Sequence, residues 1–114
     1  MRLDIKKNIF LLISIGAIPG ALSRWQLDEM FVANIIGCFC LGFINSLDIS
    51  EKYKLIIGVG FCGSITTFSG WSYYLYELLS QGLYKFFVLN SISIVLIGVF
   101  AMYIGHKFGK KLTL

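Results

Sequence analysis

A chain of 114 residues that is 57% hydrophobic and 14% charged buries too small a share of itself to keep that apolar surface from water as a soluble domain. The composition describes a multi-spanning membrane protein, and the net charge of +4 has a membrane explanation that needs no nucleic acid. No nucleophile–base pair and no metal-ligand cluster points to an enzyme.

The N-terminal Met1-Arg2-Leu3-Asp4-Ile5-Lys6-Lys7 leads into an apolar run without a small-residue cleavage site, so no cleavable signal peptide is expected. Four charge-poor spans are predicted near residues 8–23, 30–47, 55–79 and 86–105, within one integral membrane domain covering 1–114. Links this short force neighbouring helices to run antiparallel and leave both termini on one side. Eight of the ten basic residues (Arg2, Lys6, Lys7, Lys52, Lys54, Lys107, Lys110 and Lys111) fall on that side, against Arg24 and Lys85 on the other. The positive-inside rule then places both termini in the cytoplasm, with the chain in the plasma membrane.

The first span ends in Pro19-Gly20-Ala21-Leu22-Ser23-Arg24-Trp25. Arg24 is either a side chain snorkelling to the headgroups or an electropositive vestibule that concentrates anions. The second span carries Asn34 about one turn inside, then Gly37 and Gly42, which let another helix come close. Asn34 either bridges two helices or points its amide into a pathway. Cys38, Cys40 and Cys62 all lie within spans, are odd in number, and read as small buried hydrophobes.

The third span holds the most informative stretch, Gly60-Phe61-Cys62-Gly63-Ser64-Ile65-Thr66-Thr67-Phe68-Ser69-Gly70-Trp71. Glycine weakens a helix, and Ser and Thr offer the backbone competing hydrogen bonds. In hydrocarbon, backbone groups freed by a broken helix must be satisfied within protein or by a water- or ion-filled cavity. The stretch predicts an unwound hinge between two half-helices that solvates an ion with hydroxyls and peptide groups. Tyr73, Tyr74 and Tyr76 suit a membrane interface, with Glu77 near the surface. The fourth span holds Asn90, Ser91 and Ser93, with Asn90 and Ser93 on one face; they predict helix-to-helix hydrogen bonding, or else a pore-lining role, and His106 a headgroup-level position rather than a ligand or pH sensor.

Three of these pieces, in order and at the right spacing, resemble the small four-helix fluoride channels, the Fluc or CrcB family. They are Gly20-Ala21-Leu22-Ser23-Arg24-Trp25, the pattern from Asn34 through Gly37 and Phe39 to Gly42, and Gly60 to Ser69. The resemblance covers nearly the whole chain. It implies an all-α membrane fold of four transmembrane helices, the third broken mid-membrane, in an antiparallel dimer with two narrow pores. It also implies a structural sodium ion at the dimer centre, held here by the backbone carbonyls of Gly63 and Thr66. The ion pathway would use Phe68 by its ring edge, Asn34 by its amide, Ser69 or Thr67 by a hydroxyl, and Arg24 at the vestibule. Trp71 stands where the family has a second pore phenylalanine. Glu29-Met30, Asn90 and Ile94 are further departures.

The function implied is passive exit of cytoplasmic fluoride down its electrochemical gradient. An antiparallel homodimer requires balanced basic charge, so the bias predicts pairing with an oppositely oriented homologous subunit and one degenerate pore. A non-conducting partner subunit is the alternative. A small multidrug or cation antiporter would need a membrane-embedded carboxylate, and Glu77 sits at a span's end.

Overall fold

The computed structural model describes residues 2–27 and 29–113. Met1, Asp28 of the first polar link and Leu114 lie outside the described residues, as do the side chains of Arg2, Lys6 and Lys7 that carry part of the basic bias. Among the described residues the chain is all helix, with no strand. Helix α1 spans Arg2–Leu27 and α2 Met30–Ser46. A further helical run, α3, covers residues 51–65, followed by α4 (Phe68–Ser80) and α5 (Tyr84–Thr113).

Helix α1 continues across Pro19 and past the expected link at Ser23, so Arg24 sits in its last turn. There its positive charge complements the partial negative charge of the helix C-terminus. Between α4 and α5, Gly82 adopts φ 74, a left-handed conformation that only glycine takes without cost. Its N–H reaches the Leu79 carbonyl at 3.0 Å, and the Leu83 N–H reaches that of Leu78 at 2.9 Å. This paired closure ends α4 with its last carbonyls satisfied and turns the chain into α5.

Helix α3 is unusual in its winding. One α-turn (Glu51–Tyr53) leads into nine residues of π-helix (Lys54–Cys62), and one more α-turn (Gly63–Ile65) follows. At the transition the Gly63 N–H reaches back toward the carbonyls of Gly58, Gly60 and Phe61. π-Winding is rare, and where it occurs it often marks a functional site.

Two seams of backbone contact hold the bundle. α2 packs along α5, and α1 along α3. A side chain at Gly42 would run into the Met102 carbonyl, and one at Gly105 into that of Phe39. Gly16 and Ile56 make the matching approach between α1 and α3. Such contacts suit a bilayer, where close packing rather than hydrophobic segregation draws helices together.

Among the described residues the buried apolar set is short: Ala33, Ile44, Cys62, Ile65, Leu75, Leu78 and Ala101. Large apolar side chains such as Phe10, Ile18, Leu96 and Phe100 face outward. Asn8–Leu27, Glu51–Ser80 taken across its interruption, and Tyr84–Leu112 are each long and apolar enough to cross a membrane, while Met30–Ser46 is a shorter apolar helix. The longest dimension of the molecule is 54 Å, somewhat more than the roughly 40–45 Å of a bilayer with its headgroups.

Candidate functional site

The helical run of α3 stops at Ile65. Thr66 (φ −81, ψ 153) and Thr67 (φ −143, ψ 114) are extended, and α4 begins at Phe68. The extended ψ of Thr66 turns its carbonyl out of the helical direction. The hydroxyls of both threonines at the interruption are put to use. Thr66 Oγ1 donates back to the Cys62 carbonyl at 3.0 Å and lies 3.4 Å from that of Gly63. Thr67 Oγ1 accepts the Gly70 N–H at 3.1 Å, capping α4, and lies 3.1 Å from Ser69 Oγ.

Thr67's own peptide groups are held from across the bundle by Asn34. The Thr67 N–H donates to Asn34 Oδ1 at 2.7 Å, and Asn34 Nδ2 donates to the Thr67 carbonyl at 3.4 Å. One side-chain amide thus substitutes for the helical partners that the interruption removed, as a low-dielectric setting demands. Helix periodicity explains why α2 can do this. Met30, Asn34 and Gly37 recur at i, i+4 and i+7 and share one face. A Cβ at Gly37 would strike Thr66 Cγ2 and come within 3.0 Å of Ile65 Cγ2, while one at Gly70 would lie 3.3 Å from Met30 Sδ. The face of α2 is therefore shaped to fit residues 65–70.

An apolar cleft of about 560 Å³ opens beside this junction. Its walls include Asn34, Gly63, Thr66, Thr67, Phe68 and Trp71, with Ile94 and Gly98 contributed by α5 and Cys38 by α2. Among the described residues no charged side chain lines it. The Phe68 and Trp71 rings stand 5.3 Å apart and tilted by 57°, with Phe68 largely exposed at 75%. Trp71 Nε1 is buried without a hydrogen-bond partner.

Six of the eight residues singled out in the sequence thus meet at one place: Gly63, Thr66, Asn34, Thr67, Phe68 and Trp71. Ser69 touches the site through Thr67 but does not line the cleft, and Arg24 lies apart on α1. Asn90 and Ser91 differ from expectation: they donate to the Phe86 and Phe87 carbonyls of their own helix, each at 2.7 Å. A residue four positions back is always within reach on a helix, so no neighbour was needed. The three cysteines are free thiols, and among the described residues no group of three or more His, Cys, Asp or Glu could hold a metal.

The π-winding of α3 was not anticipated. Close approach at Gly37 and bridging by Asn34 were read from the sequence, but not that residues 65–67 would be the partner of both.

Such a bundle, all helix among the described residues and apolar on its outside, is that of a membrane protein. The chain is a member of the family described as CrcB-like protein, Camphor Resistance (CrcB), whose profile matches residues 11–106. It is 62% identical over 113 residues to the "Fluoride-specific ion channel FluC 1" of Prochlorococcus marinus (strain NATL2A), covering 99% of both chains. It is 39% identical over 108 residues to "Fluoride-specific ion channel FluC 2" of Synechococcus sp. (strain CC9605), covering 90% of this chain and 81% of that one. To "Fluoride-specific ion channel FluC" of Prochlorococcus marinus (strain MIT 9515) it is 34% identical over 111 residues, covering 96% and 100%. These names describe ion channels, a function outside enzymology.

Proposed function

We propose that this chain is a subunit of a fluoride-selective ion channel, set in the plasma membrane by four spanning segments, with the third interrupted at Thr66 and Thr67. The observation that carries the reading is the neutral cleft that gathers Asn34, Thr67, Phe68 and Trp71 beside that interruption. A small anion that sheds water needs positive edges and hydrogen-bond donors in return. Aromatic ring edges are electropositive, and Phe68 presents an exposed ring there. The Thr67 and Ser69 hydroxyls and the Asn34 amide add donors, and Arg24 at the end of α1 draws anions toward the membrane. Fluoride then leaves the cytoplasm down its electrochemical gradient, driven by the inside-negative potential.

The residues at the interruption also fit a structural sodium ion. Gly63 is exposed, its φ of −65 is ordinary for any residue, and a Cβ there would meet nothing within 4 Å. Glycine in a helical position costs about 1 kcal/mol relative to alanine, so the room it leaves serves something outside this chain. Carbonyl oxygens of Gly63 and Thr66 would hold the ion, which suits a hard monovalent cation. Bound there, sodium would supply a positive centre that fixes the unwound backbone where two subunits meet.

The partner we propose is a homologous subunit in the opposite orientation, forming an antiparallel dimer. Eight basic residues on one side against two on the other favour a single orientation of this chain, with both termini cytoplasmic. The bulk of Trp71 in the cleft favours a second reading, in which this chain is the non-conducting member of the pair. Fluoride efflux from liposomes, followed by a fluoride electrode, separates the readings. Efflux only with the partner present, and lost when this chain's Asn34 is changed, identifies a conducting subunit. Efflux unaffected by changes in this chain's cleft identifies a supporting one. No fluoride efflux from either preparation overturns the proposal, and efflux from this chain alone removes the need for a second subunit.

A further inference from the structure

Trp71 Nε1 stands out among the described residues as the buried side-chain polar atom that has no hydrogen-bond partner. Leaving such a donor unmatched in an apolar setting is unfavourable, and native structures rarely do so without a functional reason. An indole N–H donates and never accepts, so its complement must be an acceptor. The side-chain acceptors on the cleft wall are already engaged, and the outward-turned Thr66 carbonyl is the one assigned above to sodium. Asn34 Oδ1 takes the Thr67 N–H at 2.7 Å, and Thr67 Oγ1 takes the Gly70 N–H at 3.1 Å. The missing acceptor therefore comes from outside the chain.

We infer that the Trp71 indole N–H is a donor to the permeating anion, making Trp71 a binding and specificity-determining residue of the cleft. The inference rests on the fluoride-channel reading above. The ring already lines the cleft beside Phe68, while its nitrogen is covered. Donation to an ion in the cleft requires the indole to turn its N–H toward that space, a rotation about the side-chain bonds of Trp71. Fluoride, compact and the strongest acceptor among the halides, gains more from one well-aimed donor than chloride does. A wider, more weakly accepting ion would meet the same bulky ring as an obstacle. Trp71 thus works in two ways, as a donor to the small ion and as a steric limit on larger ones.

The test uses the whole chain in the assembly it forms in liposomes. The sequence holds two tryptophans, so Trp25→Phe leaves Trp71 as this chain's sole indole emitter. Sodium fluoride is expected to shift or quench that emission saturably, and sodium chloride at equal ionic strength is not. Trp71→Phe, which keeps a ring edge but removes the donor and the emission with it, is followed by calorimetric titration beside the parent, and its half-saturating fluoride concentration is expected to rise about tenfold or more, in line with losing a hydrogen bond to a charged acceptor. An emission that ignores fluoride, together with an unchanged half-saturation in Trp71→Phe, overturns the inference. So does an emission that responds only to separating the subunits, which would assign the N–H to a carbonyl of the partner. The emission measurement reads binding whether or not ions cross. A failure of fluoride transport would therefore count against the channel reading without deciding this one.

Discussion

Replacing Asn34 by alanine is the most direct way to ask what the interruption depends on. The change strands the Thr67 N–H, which now donates at 2.7 Å, in a part-buried position. A donor left without a partner costs about 1–3 kcal/mol. The second contact, at 3.4 Å, is longer than a strong N–H···O bond and adds about 0.5 kcal/mol at most. The cleft is open to one side, so water recovers part of the loss, leaving a net cost of about 2 kcal/mol. That corresponds to roughly a thirtyfold smaller fraction of chains with Thr67 held in place. We expect Asn34→Ala to lower the melting temperature of the purified assembly by several degrees and to reduce fluoride efflux at least tenfold. Asn34→Asp separates holding from ion contact. One carboxylate oxygen still accepts from Thr67, but the other faces the Thr67 carbonyl and sets a negative charge at the cleft. Its efflux should vanish even where its melting point falls less than that of the alanine variant. An Asn34→Ala protein that melts and conducts as the parent does would refute the reasoning, since the amide would then be holding nothing.

Three further substitutions test the same junction. Gly37→Ala drives a methyl into Thr66 Cγ2, with an expected cost of about 1–3 kcal/mol from overpacking, and adding Thr66→Ser should restore melting temperature and efflux by removing that methyl. Thr67→Ala removes the cap on α4 and should destabilise by about 1 kcal/mol in thermal melts, with Thr67→Ser close to the parent. Gly63→Ala meets nothing within this chain, so the isolated subunit should hold its helix as well or better by circular dichroism, while sodium-dependent assembly and fluoride efflux should fall. Normal assembly and efflux in Gly63→Ala would show that nothing outside the chain uses that space.

The position of the interruption was legible because glycines and hydroxyl residues crowd the middle of an uncharged run, and few other roles explain that mixture in lipid. Asn34 was legible only as a choice between bridging and ion contact. An amide on an apolar helix has many possible partners, and which backbone group lies opposite depends on how α2 docks. The π-winding of Lys54–Cys62 could not be read, since a one-residue change in hydrogen-bond register leaves no mark on hydrophobic pattern. Asn90 and Ser91 misled for a related reason: a lone polar residue looks like a link to a neighbour but can close on its own helix. The end of α1 extended beyond the expected link because Ser23 to Leu27 contain no glycine or proline to stop it.

The grip of Asn34 falls on main-chain atoms, and this separates two duties within a single residue. Every amino acid except proline brings an N–H and a carbonyl to position 67, so the holding contact is inherited by almost any replacement there. Starting α4, by contrast, resides in the threonine's oxygen and passes only to short side chains that carry one. For holding the backbone alone, position 67 can vary in size and polarity, at the expense of the following helix and of the hydroxyl it offers the cleft, whereas position 34 has no comparable freedom.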